Sequence, residues 1–254
     1  TLSSSSAASD VYKRQVLEFT LLGAVILAAA CMQGSIGFGM GMLAAPFIAL
    51  IDATLLPVLV IMLAMVVTLI VVVMDRAALD LRGAGWALAG RVPGTVVGAG
   101  LVAVMSATAL SWAVAGVVLL GVVMSLRGWH PRVTRTTQAV AGALSGLMGT
   151  TTSVGGTPMA IIWQGSEGPR LRGTMSAFFL VGSSLSLVAL FLWGAVPTHA
   201  LATAAWMAPF AVGGVVLSRF VNRFLNRRRT RAIALGASAL GAVTLIVTRL
   251  VEMF

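Results

Sequence analysis

Apolar residues run along this chain in long uninterrupted blocks, with neither the alternation of a half-buried strand nor the one-sided stripe of a surface helix. A helix needs about 20 apolar residues to cross a bilayer. Six blocks meet that length plainly: 54–74, 84–104, 109–126, 174–193, 199–218 and 232–248. Two more are as apolar but interrupted. The block 16–50 is broken by Gln33-Gly34-Ser35-Ile36-Gly37-Phe38-Gly39-Met40-Gly41. The block 136–163 is broken by Gly149-Thr150-Thr151-Thr152-Ser153-Val154-Gly155-Gly156-Thr157-Pro158. The pattern predicts an all-α polytopic membrane protein.

The order of the blocks repeats. Each half opens with a Gly-rich broken segment that ends near a proline (Pro46, Pro158), and three plain spans follow. The second plain span of each half carries a proline with glycines after it: Pro93 with Gly94 and Gly98, Pro209 with Gly213 and Gly214. The membrane repeats are expected at 16–127 and 136–254, joined by a cytoplasmic linker at 128–135. The stretch Thr1–Gln15 is Ser-rich and polar, and it lacks the basic and apolar regions of a signal peptide. It reads as a disordered tail or a non-native scar.

Charge decides how the broken segments run. Basic residues accumulate in cytoplasmic loops. If all eight blocks crossed once, the basic residues would split evenly, eight to a side. If each broken segment instead enters and returns to its own side, 13 arginines fall inside and three basic residues outside, with Arg91 within a span. The second arrangement is expected. It leaves three crossings per half, an odd number, so the halves are inverted repeats. Each contains one broken or re-entrant helix pair and three transmembrane helices. Interrupted helices in inverted repeats build midplane binding sites in transporters, and irregular backbone at membrane depth persists only inside protein or beside a cavity. The two tips are therefore expected to meet. Each is a hairpin of half-helices or a pair of short tilted spans; hydropathy leaves both open.

Composition excludes other classes. The chain of 254 residues is 59% hydrophobic and 9% charged, with a mean hydropathy of +1.01, against about 25% charged in soluble domains. The net charge of +10 reports orientation in a membrane, not a nucleic-acid partner, since no soluble basic domain carries it. The single cysteine, Cys31, excludes an intramolecular disulfide and reads as apolar packing. HExxH, Walker and GxSxG motifs are absent from the sequence, and neither a catalytic residue nor a cofactor or metal is expected.

The candidate chemistry lies at the tips. Thr157 as N-cap and Pro158 as first helical residue would start a helix after Gly155-Gly156, whose free N–H groups favour an anion. Thr150, Thr151, Thr152 and Ser153 add hydroxyl donors. In the facing tip, Gly34, Gly37 and Gly39 allow close backbone approach, and Gln33 and Ser35 are polar. Small-residue helix packing is the alternative reading of these glycines. Arg91, several residues inside its span, is either a counter-charge for an anionic substrate or an arginine snorkelling to the headgroups. The stripe Gly90, Gly94, Gly98 reads as a packing face. Asp75-Arg76 and Asp80-Arg82 read as a solvated loop, and the arginines 219–231 as an anchor on anionic lipid headgroups. Trp86, Trp112, Trp129 and Trp193 fall near span ends. Carboxylates are missing from the span interiors, with Asp52 at an outer edge and Glu167 in an inner loop. A proton relay on buried acids is therefore not visible.

Three features together resemble the sulfite exporter TauE/SafE family of permeases, the 4-toluene sulfonate uptake group. They are Gly34-Ser35-Ile36-Gly37-Phe38-Gly39 with Pro46 downstream, Asp75-Arg76…Asp80-Leu81-Arg82 before a Gly-rich span, and Gly142…Gly146…Gly149…Gly155-Gly156-Thr157-Pro158. The similarity covers nearly all of the chain after residue 16. It implies transport of small anions, often sulfur-bearing oxyanions or organosulfonates, across the cytoplasmic inner membrane. The expected partners are a small anionic substrate and membrane lipids. A coupling ion and a homodimer stay open. The rival classes are a non-transporting anchoring or assembly subunit and an intramembrane enzyme; the latter lacks a histidine or lysine near Ser153.

Overall fold

The computed structural model describes residues 2–79, 84–127, 131–163, 168–224 and 227–253. Among these, all regular structure is helical: α1 (Leu2–Ile36), α2 (Met40–Asp52), α3 (Val58–Met74), α4 (Ala84–Val104), α5 (Ala107–Leu126), α6 (Arg135–Thr152), α7 (Gly156–Ile162), α8 (Gly168–Leu192), α9 (Thr198–Phe224) and α10 (Arg227–Val251). Asp80, Arg82, Trp129, His130 and Glu167 lie outside the described residues. Helix α1 runs without a break from Leu2 to Ile36.

Among the described residues six helices are long and apolar enough to cross a membrane: Gln15–Ile36 of α1, then α4, α5, Arg170–Leu192 of α8, α9, and Arg229–Val251 of α10. Five coincide with the expected plain spans. The sixth differs. The block 54–74 divides into a 3-10 turn at Ala53–Leu55 and the 17-residue α3. Asp52 explains the division, because its carboxylate accepts hydrogen bonds from the N–H and hydroxyl of Thr54 and so caps the turn. Pro57 then holds Leu56 extended. Conversely, α1 runs unbroken through Gln33–Ile36, and the interruption shrinks to residues 37–39. Gly37 and Gly39 have φ of 89° and 104°, which favours glycine. The second interruption likewise spans only 153–155, with Ser153 left-handed at φ 64° after α6. Each broken segment is thus one long and one short helix: α1 with α2, and α6 with α7.

Glycines set the closest helix contacts. Helices α4 and α6 run parallel, with Gly90 facing Ala139, Gly94 facing Ala143 and Gly98 facing Leu147. Gly142 of α6 faces Ala87 in return. Methyl groups at Gly90, Gly94 or Gly142 would collide with the carbonyl oxygens opposite. The stripe is a packing face, as small residues allow in membranes. Helix α1 runs parallel to α9 in the same manner, with Gly23 against Phe210 and Gly34 against Ser218. Helices α3 and α8 are antiparallel, since Asp75 meets Arg172 and Met65 meets Ser184. Packing partners exchange when the halves are exchanged: α1 packs on α9 and α6 on α4, α2 on α10 and α7 on α5, α3 on α9 and α8 on α4.

Side chains close the helix ends as their chemistry requires. Thr134 and Thr137 exchange side-chain to backbone hydrogen bonds at the start of α6. Trp86 and Trp193 are half exposed at span ends, and the Arg135 guanidinium lies 5.5 Å from the Trp86 ring centre.

Gly94→Leu should destabilise the protein by more than the usual overpacking penalty of about 1–3 kcal/mol, because backbone must move. Gly116→Ala, which meets no heavy atom within 4 Å, should gain about 0.5–1 kcal/mol of helix stability. Thermal unfolding of the purified variants measures both.

Candidate functional site

The two interruptions meet. Gly41, at the start of α2, packs on the carbonyl of Ser153, and Gly156, at the start of α7, packs on the side chain of Phe38. Between them lies a cavity of about 40 Å³, room for about three waters. Its walls come from both tips, from α3 (Val60, Ile61, Ala64), from α4 (Arg91) and from α8 (Phe179, Ser183, Ser186).

Gln33 ties the first tip together. Its Oε1 accepts a hydrogen bond of 3.1 Å from the Met40 N–H, satisfying a donor at the helix start that has no partner within α2. This fixes the amide so that the Nε2 donor is spent on nothing: Gln33 is 4% exposed and Nε2 has no hydrogen-bond partner. The side chain lines the cavity.

Arg91 faces inward. It is 3% exposed, so it does not snorkel. Its guanidinium carbon lies 4.8 Å from the ring centre of Phe178 and 5.4 Å from that of Phe179, within cation–π range. One nitrogen donates to Ser145 Oγ at 3.1 Å, and Ser145 in turn donates to the Gly155 carbonyl at 2.6 Å. The Nε has no partner. Room for the group comes from Gly182, where a methyl would strike the guanidinium, and from Gly149 beside it. A cation is thus held at the second tip by rings and a hydroxyl, with no acid paired to it among the described residues.

The structure sorts the sequence candidates. Gln33, Gly39, Arg91, Ser153, Gly155, Gly156 and Thr157 line the cavity. Gly34 packs on Ser218, and Gly37 packs on the backbone of Arg172. Ser35 is buried and is not among the residues that line the cavity. Thr150 pairs with Ser186 at 2.8 Å, while Thr151 and Thr152 return their hydroxyls to carbonyls of their own helix. These three hydroxyls are engaged within the protein, and none of the three residues lines the cavity. Pro158 is buried but is not a wall residue, and the helix-start reading needs correction. Gly155 is the N-cap of α7, no side chain caps it, and Thr157 and Pro158 lie inside a helix of seven residues. Sequence reasoning missed Ser145, Phe178, Phe179, Ser183 and Ser186. The small and hydroxyl residues Gly182-Ser183-Ser184 and Ser186 inside an apolar span were the available signal.

Asp75 also departs from expectation. It is not a solvated loop residue: its side chain is 8% exposed at the end of α3. It pairs with Arg172 at 2.5 and 3.1 Å and with Arg219 at 3.5 Å, tying α3 to α8 and α9. Arg231 donates to the Ser125 carbonyl, which joins the start of α10 to the end of α5. At the opposite end, Arg249 reaches the Ala49 carbonyl and Glu252, and His199 meets Thr54 at 3.0 Å. Among the described residues no three His, Cys, Asp or Glu side chains converge to hold a metal.

A helical membrane protein with two interrupted helices around a buried cation has the build of a transporter. The chain matches the family described as sulfite exporter TauE/SafE over residues 22–245. It belongs to that family, whose members are membrane transporters for sulfite and related sulfur anions. No curated protein and no solved structure matches it.

Asp75→Asn should cost about 3 kcal/mol, because two arginines lose their counter-charge in a largely buried site. Removing Arg172 as well, as Asp75→Asn with Arg172→Met, should recover part of that loss. Thermal unfolding of single and double variants gives the comparison.

Proposed function

We propose that this chain is a permease moving a small, sulfur-containing oxyanion across the cytoplasmic membrane through the cavity between the two glycine-rich interruptions. Arg91 carries the reading. An arginine at membrane depth is expensive, by about 2.5 kcal/mol or more, and this one is buried against the cavity with two phenyl rings and a serine as its partners. An anion is the ligand that such a cation lacks. The spare Gln33 amide donor and the hydroxyls of Thr157 and Ser183 line the same cavity.

The proposed frame is a pair of inverted repeats, 16–127 and 136–254. Two features support the inversion. Packing partners swap when the halves are swapped, and the counterparts α3 and α8 run antiparallel. The end carrying Asp75, Arg172, Arg219 and Arg231 is assigned to the cytoplasm on the positive-inside rule. A coupling ion and a homodimer remain part of the proposal without an observation of their own. An anchoring subunit would need neither the cavity nor the buried cation.

Arg91→Gln and Thr157→Val should each abolish anion flux in proteoliposomes while the protein still folds and inserts. Gly156→Leu should do the same, since its first side-chain carbon would already lie 3.2 Å from Phe38 and the rest would push that ring into the cavity. Full flux in all three variants would refute the site.

A further inference from the structure

We infer that the cavity selects a singly charged oxyanion over both its doubly charged and its neutral counterparts of the same shape; this rests on the transport reading above. Among the described residues lining the cavity, Arg91 alone carries a full charge. Asp75 already engages Arg172 and Arg219 in its own cluster. A monoanion therefore brings the site to neutrality. A dianion leaves one negative charge buried without a partner, and burial of an uncompensated charge is strongly unfavourable. A neutral ligand leaves the guanidinium as it was and gains no ion pair.

The polarity of the fixed groups points the same way. Two acceptors near the cavity are engaged internally: Gln33 Oε1 by the Met40 N–H, and the Gly155 carbonyl by Ser145. The amide nitrogen of Gln33 and the guanidinium are left as donors. Bare oxygens on the ligand match them, whereas an acidic hydroxyl on the ligand meets acceptors already in use. Phe38, Val60, Ile61 and Ala64 form an apolar wall that suits a small substituent in place of a further charged oxygen.

Three tetrahedral sulfur compounds of similar size separate charge from shape: dimethyl sulfone (neutral), methanesulfonate (one charge) and sulfate (two charges at neutral pH). Calorimetric titration of the purified full chain at fixed ionic strength is expected to show methanesulfonate binding at least about tenfold tighter than either of the others. In Arg91→Gln the order should fall by one charge, with methanesulfonate losing at least about tenfold and dimethyl sulfone becoming its equal or better. Arg91→Lys should keep the original order. Sulfate binding as tightly as methanesulfonate to the unaltered chain would overturn the single-charge inference while leaving an anion site in place. Absence of binding by either anion would overturn the inference and the anion site together. The unaltered chain decides the matter alone should Arg91→Gln fail to fold.

Discussion

A guanidinium enclosed by helices, with aromatic rings and one hydroxyl for company, sets the terms for the centre of this protein. Arginine stays protonated in proteins, so the fold cannot neutralise Arg91 by removing its proton; it must surround the charge. Phe178 and Phe179 present ring faces to it, and Ser145 supplies an acceptor. Gly146, Gly149 and Gly182 keep side chains out of the space it fills. Those groups sit on α6 and α8, so the placement of one side chain on α4 requires three helices in fixed register. The backbone contacts of Gly90, Gly94 and Gly142 between α4 and α6 provide that register. Packing and electrostatics here depend on one another.

Apart from those on the first half of α1, Glu18 among them, the remaining described charges lie at helix ends. Asp75 gathers Arg172 and Arg219 where α3, α8 and α9 finish or begin. Arg249 and Glu252 pair at the end of α10. Between these ends polarity is supplied by backbone breaks, amides and hydroxyls, and most of the hydroxyls are consumed locally. Thr68, Thr151, Thr152 and Ser218 bond to carbonyls of their own helices. This thrift makes the exceptions informative. An unpartnered amide nitrogen on Gln33 beside a cavity wall shared with Arg91 is a donor that helix formation does not explain.

Much of this was readable in the sequence for physical reasons. Long apolar blocks can only be helices in lipid. Arginine is rare enough at depth that Arg91 stood out, and glycines interleaved with polar residues marked both interruptions. Other features were hidden because a sequence gives residue type but not partner. Thr150, Thr151 and Thr152 looked like ligand donors, yet their bonds go to Ser186 and to the preceding turn. Asp75 looked like a loop acid, yet its arginines arrive from α8 and α9, far along the chain. The span 54–74 looked whole because Asp52 and Pro57 act on the backbone, which hydropathy does not register. Helix α8 looked like plain membrane filler because Ser183 and Ser186 are small enough to leave its apolar character intact.

Aligning the halves on Pro93 and Pro209 shows what was kept and what was changed. Five residues after each proline a glycine, Gly98 or Gly214, packs against the long helix of a broken segment: Gly98 on Leu147 and Thr150 of α6, Gly214 on Leu27 and Ala30 of α1. The close backbone contact is the same in both halves. Two residues before each proline the halves differ: Arg91 stands in one and Met207 in the other, and both are buried. A second arginine there would add a second cation to an interior whose cavity is lined by no described acid, so the frame tolerates duplication and the charge does not. The repeated helices explain how two interruptions come to face each other. The single unrepeated cation is the asymmetry on which the proposed anion site rests; without it the space between the interruptions would be a seam between two halves.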